Sequence, residues 1–441
     1  MPRTPKKTTT PIEKHTIPTV PAAKQPYQVP GNWRWVYLKD VCNFIGGGTP
    51  NKSVDDYWNG EIPWASVKDI KGDYLDNTID SITRTGLNNS AANVCNINDL
   101  ILVTRIEPGK TIISKIQTSI NQDLKIVKSS LSSLFLHFYF KTFQHEFERK
   151  SSGSTVKGIT IANVENTPIP LPPLAEQQRI VDRIERLFAK LDEAREKAQA
   201  VVDGFENRKA AILHKAFTGE LTKKWREERG IGMESWEFYK YRELGNSKLG
   251  KMLDKAKNDG QPIRYLRNVN VRWFDFDLTD VYTMLATDEE VNNLEVRDGD
   301  MFICEGGEPG RCAIWHGDCQ RMIFQKALHR FRPNNKVISD YLCYYLYYLS
   351  HNGSLEKYYT GTTIKHLTGK ALAEIEVLVP DITEQRIIIK SITNIFAQEH
   401  HARDLAESVI AQIDGMKKAI LARAFRGELG TNDPSESACE V

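Results

Sequence analysis

The side chains best suited to chemistry in this 441-residue chain are cations mixed with amides and aromatics, not a nucleophile beside a base. Between positions 248 and 272, Lys248, Lys251, Lys255, Lys257, Arg264, Arg267 and Arg272 are countered only by Asp254 and Asp259. Tyr265, Asn268, Asn270 and Trp273 are interleaved among them. Lys and Arg neutralise phosphates, and Arg and Asn pair with base edges in the major groove. A plain charge run is usually a solvated face; the admixture of Asn and aromatics favours contact with DNA. The first half of the chain offers a smaller set. IGGGTPNKS (45–53) carries Lys52, EIPWASVKDI (61–70) carries Trp64, Ser66 and Lys68, and Arg105 follows an apolar run. Arg311 closes the Glu-Pro-Gly turn after the later run. The glycine run is not a P-loop, because Asn51 precedes Lys52 where that motif needs Gly and no clear strand leads in.

Catalytic signatures are missing. The sequence has no N/D-P-P-Y/F box, no glycine-rich cofactor loop after a strand, no Walker A, no H-E-x-x-H and no G-x-S-x-G. Glu107-Pro-Gly-Lys110 and Glu308-Pro-Gly-Arg311 miss a nuclease Glu-x-Lys by one residue and read as turns. Cys304, Cys312 and Cys319 near His316 have the wrong gaps for zinc, so no metal is expected. The seven cysteines read as reduced thiols and the location as cytoplasmic. Lys plus Arg exceed Asp plus Glu by only 59 to 57, so a DNA-binding face must concentrate cations that acids balance elsewhere. No apolar run is long enough to span a membrane.

The elements that must position these groups are repeated. Residues 153–221 align with 361–429 without a gap, with 24 of 69 positions identical. GSTVKGIT matches GTTIKHLT, PPLAEQQRIVDRI matches PDITEQRIIIKSI, and AAILHKAFTGEL matches KAILARAFRGEL. A weaker echo joins DLILVTRIEPGK (99–110) to GDMFICEGGEPGR (299–311), and WRWVYLKDV (33–41) to WEFYKYREL (236–244). In the first copy Ile180, Ile184, Leu187, Leu191, Ala194, Ala198, Val201 and Phe205 alternate steps of four and three, a heptad seam. In the second, Ile388, Ile392, Ile395, Ala402, Ala406, Val409, Ile413, Met416 and Ile420 keep that register, with Glu399 as a polar intruder. A helix over about 174–218 is roughly 65 Å long at about 1.5 Å per residue. Two matched seams in one chain are expected to pair.

The segments between the repeats mix short strand-like runs with the apolar, aromatic helices 131–147 and 340–350, an α/β pattern in which those aromatics form core. The expected fold is therefore mixed α/β, two globular recognition domains separated by two long helices in an antiparallel coiled coil with pseudo-two-fold symmetry. The boundaries are a flexible Pro/Thr/Lys-rich tail at 1–30, a first domain at 31–170, a central helix at 171–224, a second domain at 225–378, a distal helix at 379–430 and a flexible tail at 431–441.

STVKGITIANVENTPIPLPPLAEQQRIVDRIERLFAKLDEA resembles the central conserved region of type I restriction–modification specificity subunits, and TGTTIKHLTGKALAEIEVLVPDITEQRIIIKSI resembles their distal one. GNWRWVYLKDVCNFIGGGTPNKSVDDYWNGEIPWASVKDI, and GKMLDKAKNDG with YLRNVNV and CEGGEPGRCAIW, are similar to target-recognition domains. The resemblance implies that each domain reads half of a bipartite double-stranded DNA sequence, while the helices set the spacer. It further implies two modification subunits that use S-adenosylmethionine and two restriction subunits that use ATP and magnesium. This chain would bind none of those cofactors. Asp381 replaces a usual proline and His400–His401 sit in the second helix, departures from the family pattern that bear on how alike the two docking faces are. The competing readings are a stand-alone DNA-targeted nuclease and a coiled-coil adaptor that binds only proteins.

Overall fold

A computed structural model describes residues 18–152, 157–254, 258–317 and 321–437. It divides into two compact units: the described residues up to Lys197 with those from Val409 onward, and the described residues between Ala198 and Ser408. Five helices frame the two units: α1 (Ser133–Arg149), α2 (Leu174–Asp203), α3 (Phe205–Phe217), α4 (Ser339–His351) and α5 (Ile382–Phe425). The long helix expected over 174–218 is thus interrupted at Gly204, where Arg208 donates to the Val201 carbonyl at 2.8 Å.

In the first unit one sheet runs in the order Cys42–Gly46, Leu124–Ser129, Leu100–Val103, Thr111–Ser114, Tyr74–Leu75. A second runs Asp80–Ile82, Trp58–Ala65, Thr118–Ile120, Asn93–Cys95, with the middle pair parallel. The second unit repeats the plan. Gly245–Leu249, Leu328–Pro333, Met301–Cys304 and Cys312–Ile314 form one sheet. Tyr282–Ala286, Gln261–Leu266 and Met322–Phe324 form the other, again with a parallel pair. The runs LILV and MFIC are central and buried at every position, as a strand covered on both faces requires.

Within each unit two helical segments pack antiparallel. In the first, Lys417 reaches Asp192 at 2.5 Å and Arg195 reaches Asp414 at 2.5 Å, so numbering rises along one helix as it falls along the other. In the second, Arg208 reaches Glu399 at 2.6 Å and Arg403 lies 4.6 Å over the Phe205 ring. Lys417 covers Phe188 and Lys209 covers Phe396, the same contact at repeat-equivalent positions. Arg208 also supplies the polar partner that Glu399 needs inside the seam.

Ile180, Ile184, Phe205, Ile388, Ile392 and Ile413 are buried, while Leu187, Leu191 and Ile395 are half-buried beside buried Phe188 and Phe396. The seam drawn through Ala402, Val409 and Met416 is corrected: Val409 and Met416 are 44% and 46% exposed. The inward line swings to Arg403, Ala406, Ile410, Ile413 and Lys417. An α-helix drifts by roughly 20° per heptad against a strict 3.5-residue repeat, and over the length of α5 that drift changes which residue faces inward.

The repeated motifs have plain structural uses. Gln177 and Gln385 each donate to the carbonyl of the proline five residues before, Pro172 at 3.1 Å and Pro380 at 2.8 Å. Phe425 packs edge-on against Phe135 and Tyr139 of α1, and Phe217 against Tyr341 and Tyr345 of α4. The aromatic faces of α1 and α4 are therefore core.

Within the described residues, 18–30 and 431–437 correct the expectation of loose tails. Val20 is buried and donates its N–H to Trp35, and Tyr27 meets the Trp35 ring at 5.0 Å. Near the other end, Arg179 forks onto Glu436 at 2.9 and 2.7 Å, and the Trp33 indole donates to Asn432 at 2.9 Å. Polar, proline-rich chain needs no core of its own when distant residues supply partners. Residues 1–17 and 438–441 lie outside the described residues.

Candidate nucleic-acid interface

In the first unit, the strand Trp58–Ala65 ends in a single turn that Ser66 caps through Asp69, with Oγ to Oδ2 at 3.0 Å. Beside it lies a cleft of about 910 Å³. Lys52, Trp64, Ser66 and Lys68 all line it, so residues separated by up to sixteen positions converge. Their roles differ. Lys52 and Lys68 are exposed at the cleft. Trp64 is buried, donates its indole N–H to the Gly48 carbonyl at 3.0 Å and meets Trp58 edge-on at 5.2 Å, so it forms floor. Ser66 is spent on its cap. Arg105 pairs with Asp123 at 3.0 Å, and Asp123 is itself a lining residue.

Gly47 and Gly48 are tight packing positions: a Cβ at Gly47 would sit 2.2 Å from the Asn121 carbonyl oxygen, and one at Gly48 2.4 Å from the Ala91 backbone. They let the loop press on the sheet, which accounts for the glycine run without a phosphate. Sequence reasoning did not single out Asn59, Ile106, Asn121 or Gln122, which share the cleft. Their signal was present only as the echo of one half in the other.

That echo extends further than the sequence showed. Ser66 and Arg267 both open a turn closed three residues on, by Asp69 and Asn270 respectively, and both follow the strand of a parallel pair. Ala65 accepts from the backbone of Asn121 as Leu266 accepts from that of Gln325. At a constant offset of 201, Trp64 corresponds to Tyr265, Ser66 to Arg267 and Lys110 to Arg311.

In the second unit several expected DNA contacts are structural, and the assignment is corrected for them. Lys251 pairs with Glu290 and keeps 9% of its side chain exposed. Tyr265 is buried in the core. Asn270 is buried and donates to the carbonyls of Asp277 and Asp280 at 2.9 and 3.0 Å. Arg311 is held by Glu308 at 2.9 Å and the Asn268 carbonyl at 2.9 Å. Backbone carbonyls of tight turns need donors, and side chains that look like readers in a sequence serve that need instead.

What remains toward solvent is Arg264, which is exposed, together with half-buried Asn268 and Arg267. Arg267 lies 4.0 Å over the Tyr282 ring, pairs with Asp280 at 2.7 Å and lines a cavity of about 700 Å³ with Gln325 and Thr283. Lys255 and Lys257 lie outside the described residues.

Cys304 and Cys312 are buried in the core of the second unit, and Cys319 lies outside the described residues. Among the described residues no helix is long and apolar enough to cross a membrane.

Relatives share this construction. The chain is 25% identical over 69% of its length to the specificity subunit of the type I restriction enzyme EcoKI of Escherichia coli, covering 67% of that protein. It is 22% identical over 91% of its length to the MjaVIII specificity subunit of Methanocaldococcus jannaschii, covering 94% of it. In fold it is similar to the HsdS subunit from Thermoanaerobacter tengcongensis, with a TM-score of 0.67 at 20% identity, covering 92% of this chain and all of that one. The model of the type I restriction modification DNA specificity domain matches twice, at residues 30–201 and 233–407, so the chain belongs to that family of DNA-specificity proteins.

Proposed function

We propose that this chain directs a type I restriction–modification complex to a bipartite DNA sequence, each unit reading one half. One observation carries the reading: the same strand, turn and Glu-Pro-Gly corner recurs in both units while the residues at matched positions on it differ, Ser66 against Arg267 and Ile106 against Gly307. A shared scaffold with divergent tips is what two readers of unlike half-sites require. Lys52 and Lys68 serve phosphates in the first half and Arg264 in the second, by the charge they carry, while Arg267 reads base edges of the second half-site. The paired helices set the spacer and dock two modification subunits that use S-adenosylmethionine; two restriction subunits bring ATP and magnesium. The chain itself recognises without catalysing, in the cytoplasm.

The test is single-molecule sequencing of methylated adenines in cells with and without this chain. A bipartite methylation motif that vanishes on deletion supports the reading. An unchanged methylome, or cleavage of duplex by the purified chain with magnesium, defeats it. Four residues added to each paired helix, one turn, should alter the spacer and leave the half-site bases as they were.

A further inference from the structure

Ile106 adopts φ of +75°, the left-handed region, where a β-branched side chain is a steric outlier. Its turn is firmly held: the Ile106 N–H donates to Lys157 at 2.8 Å, and Lys110 pairs with Glu107 at 2.8 Å. The second unit contains the same corner. Gly109 donates to Val103 as Gly310 donates to Cys304, and these two glycines have φ of +93° and +92°. At the position of Ile106 the second corner has Gly307, with φ of +79°. The backbone therefore asks for glycine here, and the first unit carries isoleucine instead.

That isoleucine is 56% exposed, so burial in a core does not account for it. It lines the cleft with Lys52, Lys68, Asn121 and Gln122. Strain held in place at the rim of this cleft points to a task for the side chain. Those neighbours match phosphates and adenine edges, whereas the thymine 5-methyl is the apolar group that a base pair presents in the major groove. We propose that Ile106 contacts a thymine methyl in the first half-site and so selects an A·T pair there. The second unit has no such reader at Gly307.

This assignment rests on the DNA-specificity reading, and its test separates the two. The full chain, assembled with its modification subunits, is given duplexes in which each thymine of the first half-site is replaced in turn by deoxyuridine, which lacks the methyl. The parent complex should lose about fourfold in affinity at one position, the worth of one buried methyl group. Ile106→Gly should show no loss there, while unfolding at the same temperature as the parent or higher because glycine suits the turn. Ile106→Val should retain the discrimination. A parent indifferent to every deoxyuridine, or an Ile106→Gly complex that still discriminates, overturns the assignment. So does a wholesale loss of binding by Ile106→Gly with no position-specific change, the behaviour of a wedge between base steps. A parent complex with no defined methylation motif overturns the specificity reading itself.

Discussion

Removing Glu384 should cripple the second unit, whereas removing its repeat partner Glu176 should barely disturb the first. Both carboxylates begin the long helices and both are fully buried. Glu384 accepts from Thr222 at 2.6 Å, from Arg226 at 2.5 Å and from the Trp236 indole at 2.9 Å. The Arg226 side chain is only 5% exposed, so Glu384→Ala strands a cation where water cannot reach it. Breaking such a pair costs about 3–5 kcal/mol, most of it the uncompensated charge. Glu176 accepts from Thr431 at 2.6 Å and from Arg179, but that arginine is 37% exposed and keeps its fork onto Glu436. Glu176→Ala therefore loses about 1 kcal/mol, the worth of hydrogen bonds that water replaces. Peptide-resolved hydrogen exchange on the full chain reads the difference. Glu384→Ala should speed exchange by at least about 100-fold in Glu237–Lys240, Glu376–Val379 and the start of α5. Glu176→Ala should change the first unit less than about tenfold. Equal effects of the two variants would refute the claim that arginine exposure sets the cost.

Other consequences are equally open to measurement. Lys52→Ala should weaken binding of the assembled complex to all sequences alike and lower the slope of log affinity against log salt by about 0.9; a sequence-selective loss would argue against a phosphate contact. Arg267→Ala should relax the second half-site by about 1–3 kcal/mol and leave the first intact, read from the methylation motif. Burial, outweighing the pull of Asp73, holds His137 below its ordinary value, and burial does the same to His329 against Glu305. The unfolded chain therefore takes up protons first as pH falls below about 6.5, and stability drops by at most about 1.4 kcal/mol per pH unit per histidine. Urea midpoints at pH 7.5 and 5.5 should show this loss, and His137→Gln should lessen it.

Much of the architecture was legible in the linear pattern. The gapless repeat of 153–221 in 361–429 announced two alike halves, and the four-three spacing from Ile180 to Phe205 announced helices that pair. Aromatic faces over 131–147 and 340–350 read correctly as core. The far end of the second seam was misread because a period of 3.5 and a helix of about 3.6 part company over many turns, which turned Val409 and Met416 outward. Residues 18–30 and 431–437 were misread because composition records what a segment can bury by itself. It does not record that Trp33 and Arg179 wait for Asn432 and Glu436.

The amino-acid order alone determined that there are two units of one design, joined by matched helices, with cations and amides clustered in each. Spacing along the chain carries that information, since helix and strand periods are local. Only the tertiary structure decided which of those polar groups remain available. It consumed Tyr265, Asn270, Lys251 and Arg311 in core, turns and ion pairs, and brought Lys52, Lys68, Ile106 and Gln122 to one cleft. Buried carbonyls and carboxylates take the nearest donors in space, and which donors are nearest is a property of the fold.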